Sequence, residues 1–166
     1  MCPVIDAKSG YKAPPKPKSG EFEKVRIALV AARWNAGIVE ALIAGARGQL
    51  ESWGVRDKHI ELLHAPGAYE MPLACELAAK CRRYDGVIAL GAVIRGDTPH
   101  FDFVAGECAR GLQDVALRHR FPIGFGVLTV NTPKQALERA GKGPDNKGAE
   151  AAAAVLEMIR LKRALQ

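Results

Sequence analysis

At 166 residues, with 48% hydrophobic and 25% charged side chains, the chain has enough apolar material for one ordinary domain and too much for wholesale disorder. No apolar run reaches membrane-spanning length and the first residues lack the apolar core of a signal peptide, so a cytoplasmic protein with no membrane contact is expected. Half of the net charge of +6 sits in residues 1–20, where Lys8, Lys12, Lys16 and Lys18 outnumber Asp6. The remainder offers no basic helix and no basic sheet interleaved with aromatics. A small phosphorylated substrate accounts for the bias, and no nucleic-acid partner is expected.

Residues 1–20 also hold Pro3, Pro14, Pro15 and Pro17 without apolar periodicity, which reads as a flexible arm ahead of a domain over 21–166. Residues 25–32 (VRIALVAA) predict a buried strand, and Asn35 is suited to cap a helix over 36–53 that Gly54 ends. A second strand is predicted at 59–64. A turn through Pro66 and Gly67 follows, then a helix over 71–82 with Leu73, Leu77 and Ala78 toward the core. A third strand, 87–90 (VIAL), runs into GAVIRGDTPHFDF and a helix that ends near residue 120. Residues 123–130 give a fourth strand. Asn131 or Thr132 then caps a short helix opened by Pro133. After a loop over 141–148, a last helix over 149–165 carries an apolar stripe of Ala154, Met158, Leu161 and Leu165, which suits core or subunit contact. Four alternating strand–helix units imply a parallel sheet covered on both faces, hence an α/β fold.

The four cysteines, Cys2, Cys75, Cys81 and Cys108, form no CxxC pair. The histidines are not spaced with them as ligands, so reduced thiols and no metal site are expected.

Each strand ends in a polar turn: RWN, PGAYE, GAVIRGDTPH and VNTP. In a parallel sheet these ends share one edge, where ligands bind in open α/β folds. Trp34 offers a flat stacking face or an interface or core aromatic. Glu70 can accept from a heterocycle or cap a helix. Thr98 and Asp97 lie at a helix start that attracts anions, and Arg95 would add to that field. His100 exchanges protons near neutral pH. Arg139 and Lys147 suit phosphate contacts or simple structural roles.

The segments RWN, PGAYEMP, GAVIRGDTPHFDFV, FGVLTVNTPKQALERAG and NKGAEAA, in this order from about residue 25 onward, resemble the lumazine synthase (6,7-dimethyl-8-ribityllumazine synthase) family. The resemblance implies a flavodoxin-like three-layer α/β/α sandwich with a four-stranded parallel sheet. It implies condensation of 5-amino-6-(D-ribitylamino)uracil with 3,4-dihydroxy-2-butanone 4-phosphate, releasing phosphate and water, in riboflavin biosynthesis, with no metal or cofactor. By similarity His100 is the acid/base residue. Arg139 is the phosphate ligand, with Asp97 and Thr98 in the anion pocket and Lys147 assisting. Trp34 stacks on the pyrimidine, and Ala68, Tyr69, Glu70, Ala92, Val93 and Ile94 line the pocket. Phe125 matches an aromatic contributed from a neighbouring subunit. The family forms homopentamers, some of which build sixty-subunit icosahedral shells. The short 141–147 loop inclines this chain toward a shell, with riboflavin synthase a potential partner. Many members have Phe at the position of Trp34, and some with Trp bind flavins, so flavin affinity is a further expectation. The rivals are a flavodoxin-like electron-transfer protein, which gives no role to His100 with Arg139, and a shell protein without catalysis.

Overall fold

Four short apolar runs become four parallel strands in the computed structural model, which describes residues 12–166. They are β1 (Ile27–Ala32), β2 (Ile60–Ala65), β3 (Gly86–Ile94) and β4 (Ile123–Val130). The helices are α1 (Ala36–Ser52), α2 (Met71–Lys80), α3 (His100–His119), α4 (Pro133–Ala140) and α5 (Lys147–Ala164). The sheet order is β2-β1-β3-β4, with Ile27 paired to both Ile60 and Gly86, so the strands start almost level, while β3 and β4 stay paired to Ile94 and Val130 and run further than β1 and β2. Every residue of β1 is buried, as an inner strand covered on both faces requires. One apolar cluster joins Leu42, Ala46 and Leu50 of α1 with Ala136 of α4 and Val155, Leu156 and Ile159 of α5. A second joins Met71 and Cys75 of α2 with Cys108 and Leu112 of α3 on the other sheet face. The result is the expected three-layer α/β/α sandwich.

Helix α2 presents a face other than the one expected, and on α5 the core reading of the apolar stripe fails, which leaves subunit contact. On α2 the buried residues are Met71, Cys75 and Ala78, whereas Leu73 and Leu77 are exposed. Close packing explains this: a Cβ on Gly111 of α3 would come within 2.7 Å of Pro72, so small side chains face that contact. On α5 the buried stripe is Ala151, Ala152, Val155, Leu156 and Ile159, and Met158, Leu161 and Leu165 point outward. Again small residues decide it, because Gly148 packs against the Leu42 carbonyl and Gly45 against Asn146. Asn146 starts α5 earlier than expected, accepting from the Ala149 N–H at 3.0 Å. Thr132 and Gln135 form a reciprocal cap on α4, with Pro133 in its first turn. Burial pushes the Cys75 thiol up to about 12 and the Cys108 thiol to about 11, so both are inert packing residues. Cys75, Cys81 and Cys108 are all free.

Residues 1–11 of the predicted arm lie outside the described residues. Beyond them, Phe22 and Val25 are fully buried, and Arg160 of α5 holds the segment down. Its guanidinium donates to Glu21 at 2.6 Å and to the Pro15 carbonyl at 3.2 Å, and lies over the rings of Phe22 and Trp53. The hydrogen bond from Arg160 holds the Glu21 carboxyl below its ordinary value of 4.5, despite some opposing desolvation. A depressed folded-state value means that this contact stabilises above the ordinary range and is lost as pH falls through the lowered one. In a Trp34→Phe background, Trp53 emission should therefore shift on acidification below that range. A Glu21→Gln variant should show the loosened spectrum at neutral pH and no such acid step.

Candidate functional site

The C-terminal ends of β1, β2 and β3 open onto a cavity of about 620 Å³. Its wall carries Trp34, Ala68, Tyr69, Glu70, Ala92, Val93, Ile94, Thr98 and His100. The chain bends sharply after β1 because Asn35 takes a left-handed conformation, φ 56°, that Asn tolerates better than most residues. Asn35 makes no side-chain cap on α1, contrary to the sequence expectation. Its Nδ2 instead donates to the Ala92 carbonyl at 2.9 Å, and the Arg33 N–H donates to the Ala65 carbonyl at 3.2 Å. These two bonds fix the turn that bears Trp34 to both neighbouring strands.

Trp34 is 73% exposed, which removes the core reading and leaves a flat face open to a ligand or partner. Opposite it, a Cβ on Gly67 would lie 3.2 Å from both Trp34 Cδ1 and Glu70 Oε2. Only a glycine lets the indole and the carboxylate crowd this turn without displacement. Glu70 makes no side-chain cap on α2, so its carboxylate faces the cavity unengaged by that helix. His100 opens α3, exposed, with no hydrogen-bond partner among the described residues. The α3 terminus has Pro99 at its cap position and no side-chain cap bond; Asp102 N–H donates to the Pro99 carbonyl at 3.0 Å, and the amides of His100 and Phe101 remain available to an anion.

Arg95 does not supply the free positive field expected of it. Its Nη2 pairs with Asp102 at 2.9 Å, its Nε donates to Asn131 Oδ1 at 3.1 Å, and the guanidinium sits 4.2 Å from the Phe101 ring centre. It is a neutralised cross-link between β3, the first turn of α3 and the end of β4. Asp97 lies on the same loop but outside the cavity wall.

The remaining three expected residues line a separate cleft of about 420 Å³ along the β4 edge of the sheet. Phe125 is half exposed there. Lys147 pairs with Glu150 at 2.6 Å. Arg139, in the last turn of α4, donates only to its own helix, from Nη1 to the Gln135 carbonyl at 3.1 Å. Among the described residues no carboxylate engages it, so most of its donors are left without a partner there. Within one chain, then, Trp34 and His100 share a cavity, while Arg139 borders another. The sequence reading passed over Asn35, Gly67, Phe101, Phe103 and Val104 on the cavity wall. Of these only the Pro–Gly turn at Gly67 carried a local signal. Among the described residues no cluster of His, Cys, Asp and Glu could hold a metal ion, and no helix is long and apolar enough to cross a membrane.

A parallel α/β sandwich whose strand ends surround an open cavity, with a stacking aromatic and a proton-exchanging histidine on its wall, is the framework of a small-molecule enzyme. The sequence model of the 6,7-dimethyl-8-ribityllumazine synthase family matches residues 24–163, and the chain belongs to that family. It is thus a transferase of riboflavin biosynthesis, joining 5-amino-6-(D-ribitylamino)uracil to 3,4-dihydroxy-2-butanone 4-phosphate with loss of phosphate and water. The family takes small-molecule substrates and typically assembles as oligomers.

Proposed function

We propose that each active site is built from two copies of the chain. One copy gives the cavity of Trp34, Glu70 and His100; the adjacent copy gives Phe125, Arg139 and Lys147. One observation carries this reading: among the described residues the larger cavity bears no Arg or Lys on its wall, while the guanidinium of Arg139, bonded only to its own helix, borders a different cleft. Condensation of an amine with a phosphorylated ketone needs both halves. In this reading Trp34 stacks on the pyrimidine, and Ala68, Tyr69, Ala92, Val93 and Ile94 shape its pocket. Glu70 accepts from ring or ribityl donors. Arg139, assisted by Lys147, holds the phosphate near Thr98, Asp97 and the α3 amides. His100 moves protons as the amine attacks the ketone and forms a Schiff base, phosphate leaves, and the ring closes with loss of water.

Subunit mixing tests the sharing. His100→Ala and Arg139→Ala proteins, each weakly active, are unfolded together and reassembled in equal amounts. About one quarter of the interfaces then join two intact halves, and activity should rise toward that fraction of wild type. A mixture no more active than its two components would place the whole site within one chain.

The outward-facing Leu73, Leu77, Met158, Leu161 and Leu165 supply apolar surface for the homopentamer of this reading. The short loop after α4 favours a shell of sixty copies, in the cytoplasm, with riboflavin synthase as a potential partner. Light scattering separates the forms: five chains of 17.8 kDa give about 90 kDa, and a shell about a megadalton. Exposed Trp34 is also suited to stack a flavin. Riboflavin should quench its emission at micromolar concentration in the wild type and not in Trp34→Phe. Absence of quenching in the wild type at high-micromolar flavin would remove this idea.

A further inference from the structure

The edge of the sheet opposite the cavity carries a row of uncommitted cations. Lys58 stands before β2, Lys24 and Arg26 before β1, Arg82 before β3 and Arg120 before β4, following the spatial strand order β2-β1-β3-β4. All five are exposed, and none has a side-chain hydrogen bond or ion pair among the described residues. Several carboxylates of this edge are engaged. Glu23 is bound to Arg56, Asp57 to Arg47 at 2.8 Å, and Glu61 to Tyr84, while Asp85 accepts from the Arg26 N–H at 2.8 Å. The strand starts are knitted together, with Asp85 N–H donating to the Arg26 carbonyl at 2.7 Å and Val87 N–H to the Pro122 carbonyl at 3.0 Å. His59 reports the field: burial first, then Lys58, Arg26 and Arg56, hold its pKa below 6.5.

A second, independent observation concerns the backbone. The described non-glycine residues with positive φ are Asn35 at the cavity and the two arginines of this row, Arg82 at 56° and Arg120 at 47°. Helix ends in this conformation ordinarily carry Gly or Asn. An arginine held there against its backbone preference points to a use for its charge.

We propose that this edge binds the sugar–phosphate backbone of a nucleic acid, independently of sequence. Among the described residues the aromatics at this edge, Trp53 and Tyr84, are half-buried and offer no open platform for reading bases, which leaves phosphate contacts as its means of binding. The linear sequence hides the row, because its members come from four distant segments and no helix is basic.

Fluorescence anisotropy of the full-length protein with labelled single-stranded RNA and duplex DNA of mixed sequence tests the assignment. Five phosphate contacts predict that RNA affinity falls about 100-fold between about 50 and about 200 mM salt. Arg82→Gly with Arg120→Gly removes two charges and suits the left-handed backbone, so the fold is preserved. That variant should bind more weakly at low salt and lose only about 20-fold over the same range, with synthase turnover unchanged. Bound RNA should also raise the pKa of His59, read by NMR. No binding to either polymer, an unchanged salt slope in the variant, an unshifted His59, or binding to phosphatidylserine vesicles in place of nucleic acid would overturn the proposal.

Discussion

Arg139→Ala is expected to lower kcat/KM for the condensation by about 100- to 1,000-fold, the range seen when one preorganised donor to developing negative charge is removed. The expectation follows from the bonding around each cation. Arg95 is spent on Asp102 and Asn131, and Lys147 on Glu150, whereas Arg139 has given up one donor, to a carbonyl of its own helix. The reciprocal cap of Thr132 and Gln135 fixes α4, so the guanidinium is presented from a rigid element. Arg139→Lys keeps the charge and loses the planar fork, and should recover only part of the activity. His100→Ala should be milder, about 10- to 100-fold, because its imidazole is exposed and water can relay protons while the cavity still aligns the reactants. Steady-state kinetics with both substrates decide the order; a histidine variant worse than the arginine variant would shift the chemical burden from phosphate binding to proton transfer.

The strands and the edge on which the polar turns gather were legible because buried parallel strands read as uninterrupted apolar runs, and parallel topology aligns their ends. The helix faces of α2 and α5 were less legible. Leu73, Leu77 and Met158 look like core by hydrophobicity, yet the tight approaches at Gly111 and Gly148 select Cys75, Ala78, Ala151 and Ala152 instead. Hydrophobic periodicity reports that a stripe exists, not how close the neighbouring backbone comes. The behaviour of Arg95 and Asn35 was also hidden, since both depend on partners far away in sequence: Asn131 for one and the Ala92 carbonyl for the other. The match over residues 24–163 identifies the family; the resemblance implied a neighbouring-subunit place for Phe125, and the grouping of Arg139 and Lys147 with it in a second cleft emerges only in three dimensions.

The largest loss of stability is expected at Asn146, which lies at the meeting point of α1, α4 and α5. It is 4% exposed, and its side-chain amide donates to the carbonyls of Ala41, Ala140 and Gly141 at 3.2, 2.9 and 3.1 Å. Its Oδ1 accepts from Ala149 N–H at the start of α5. One side chain thus satisfies the end of α4, a carbonyl of α1 and the cap of α5. Asn146→Asp replaces the donors with an anion facing three carbonyl oxygens, and a buried unpaired charge costs about 3–5 kcal/mol. For a chain of this length that corresponds to a fall in Tm of about 10–15 °C. The introduced carboxyl would have its folded-state pKa raised by the same surroundings. The deficit should therefore be greatest above that value and shrink as the pH falls through it. Asn146→Ala leaves the same carbonyls unpartnered without adding charge, and should cost about 2–3 kcal/mol with little pH dependence. Thermal unfolding of both variants at neutral and mildly acidic pH separates the two effects. If Asn146→Asp melts within a few degrees of wild type at neutral pH, the three helices are held by apolar packing alone.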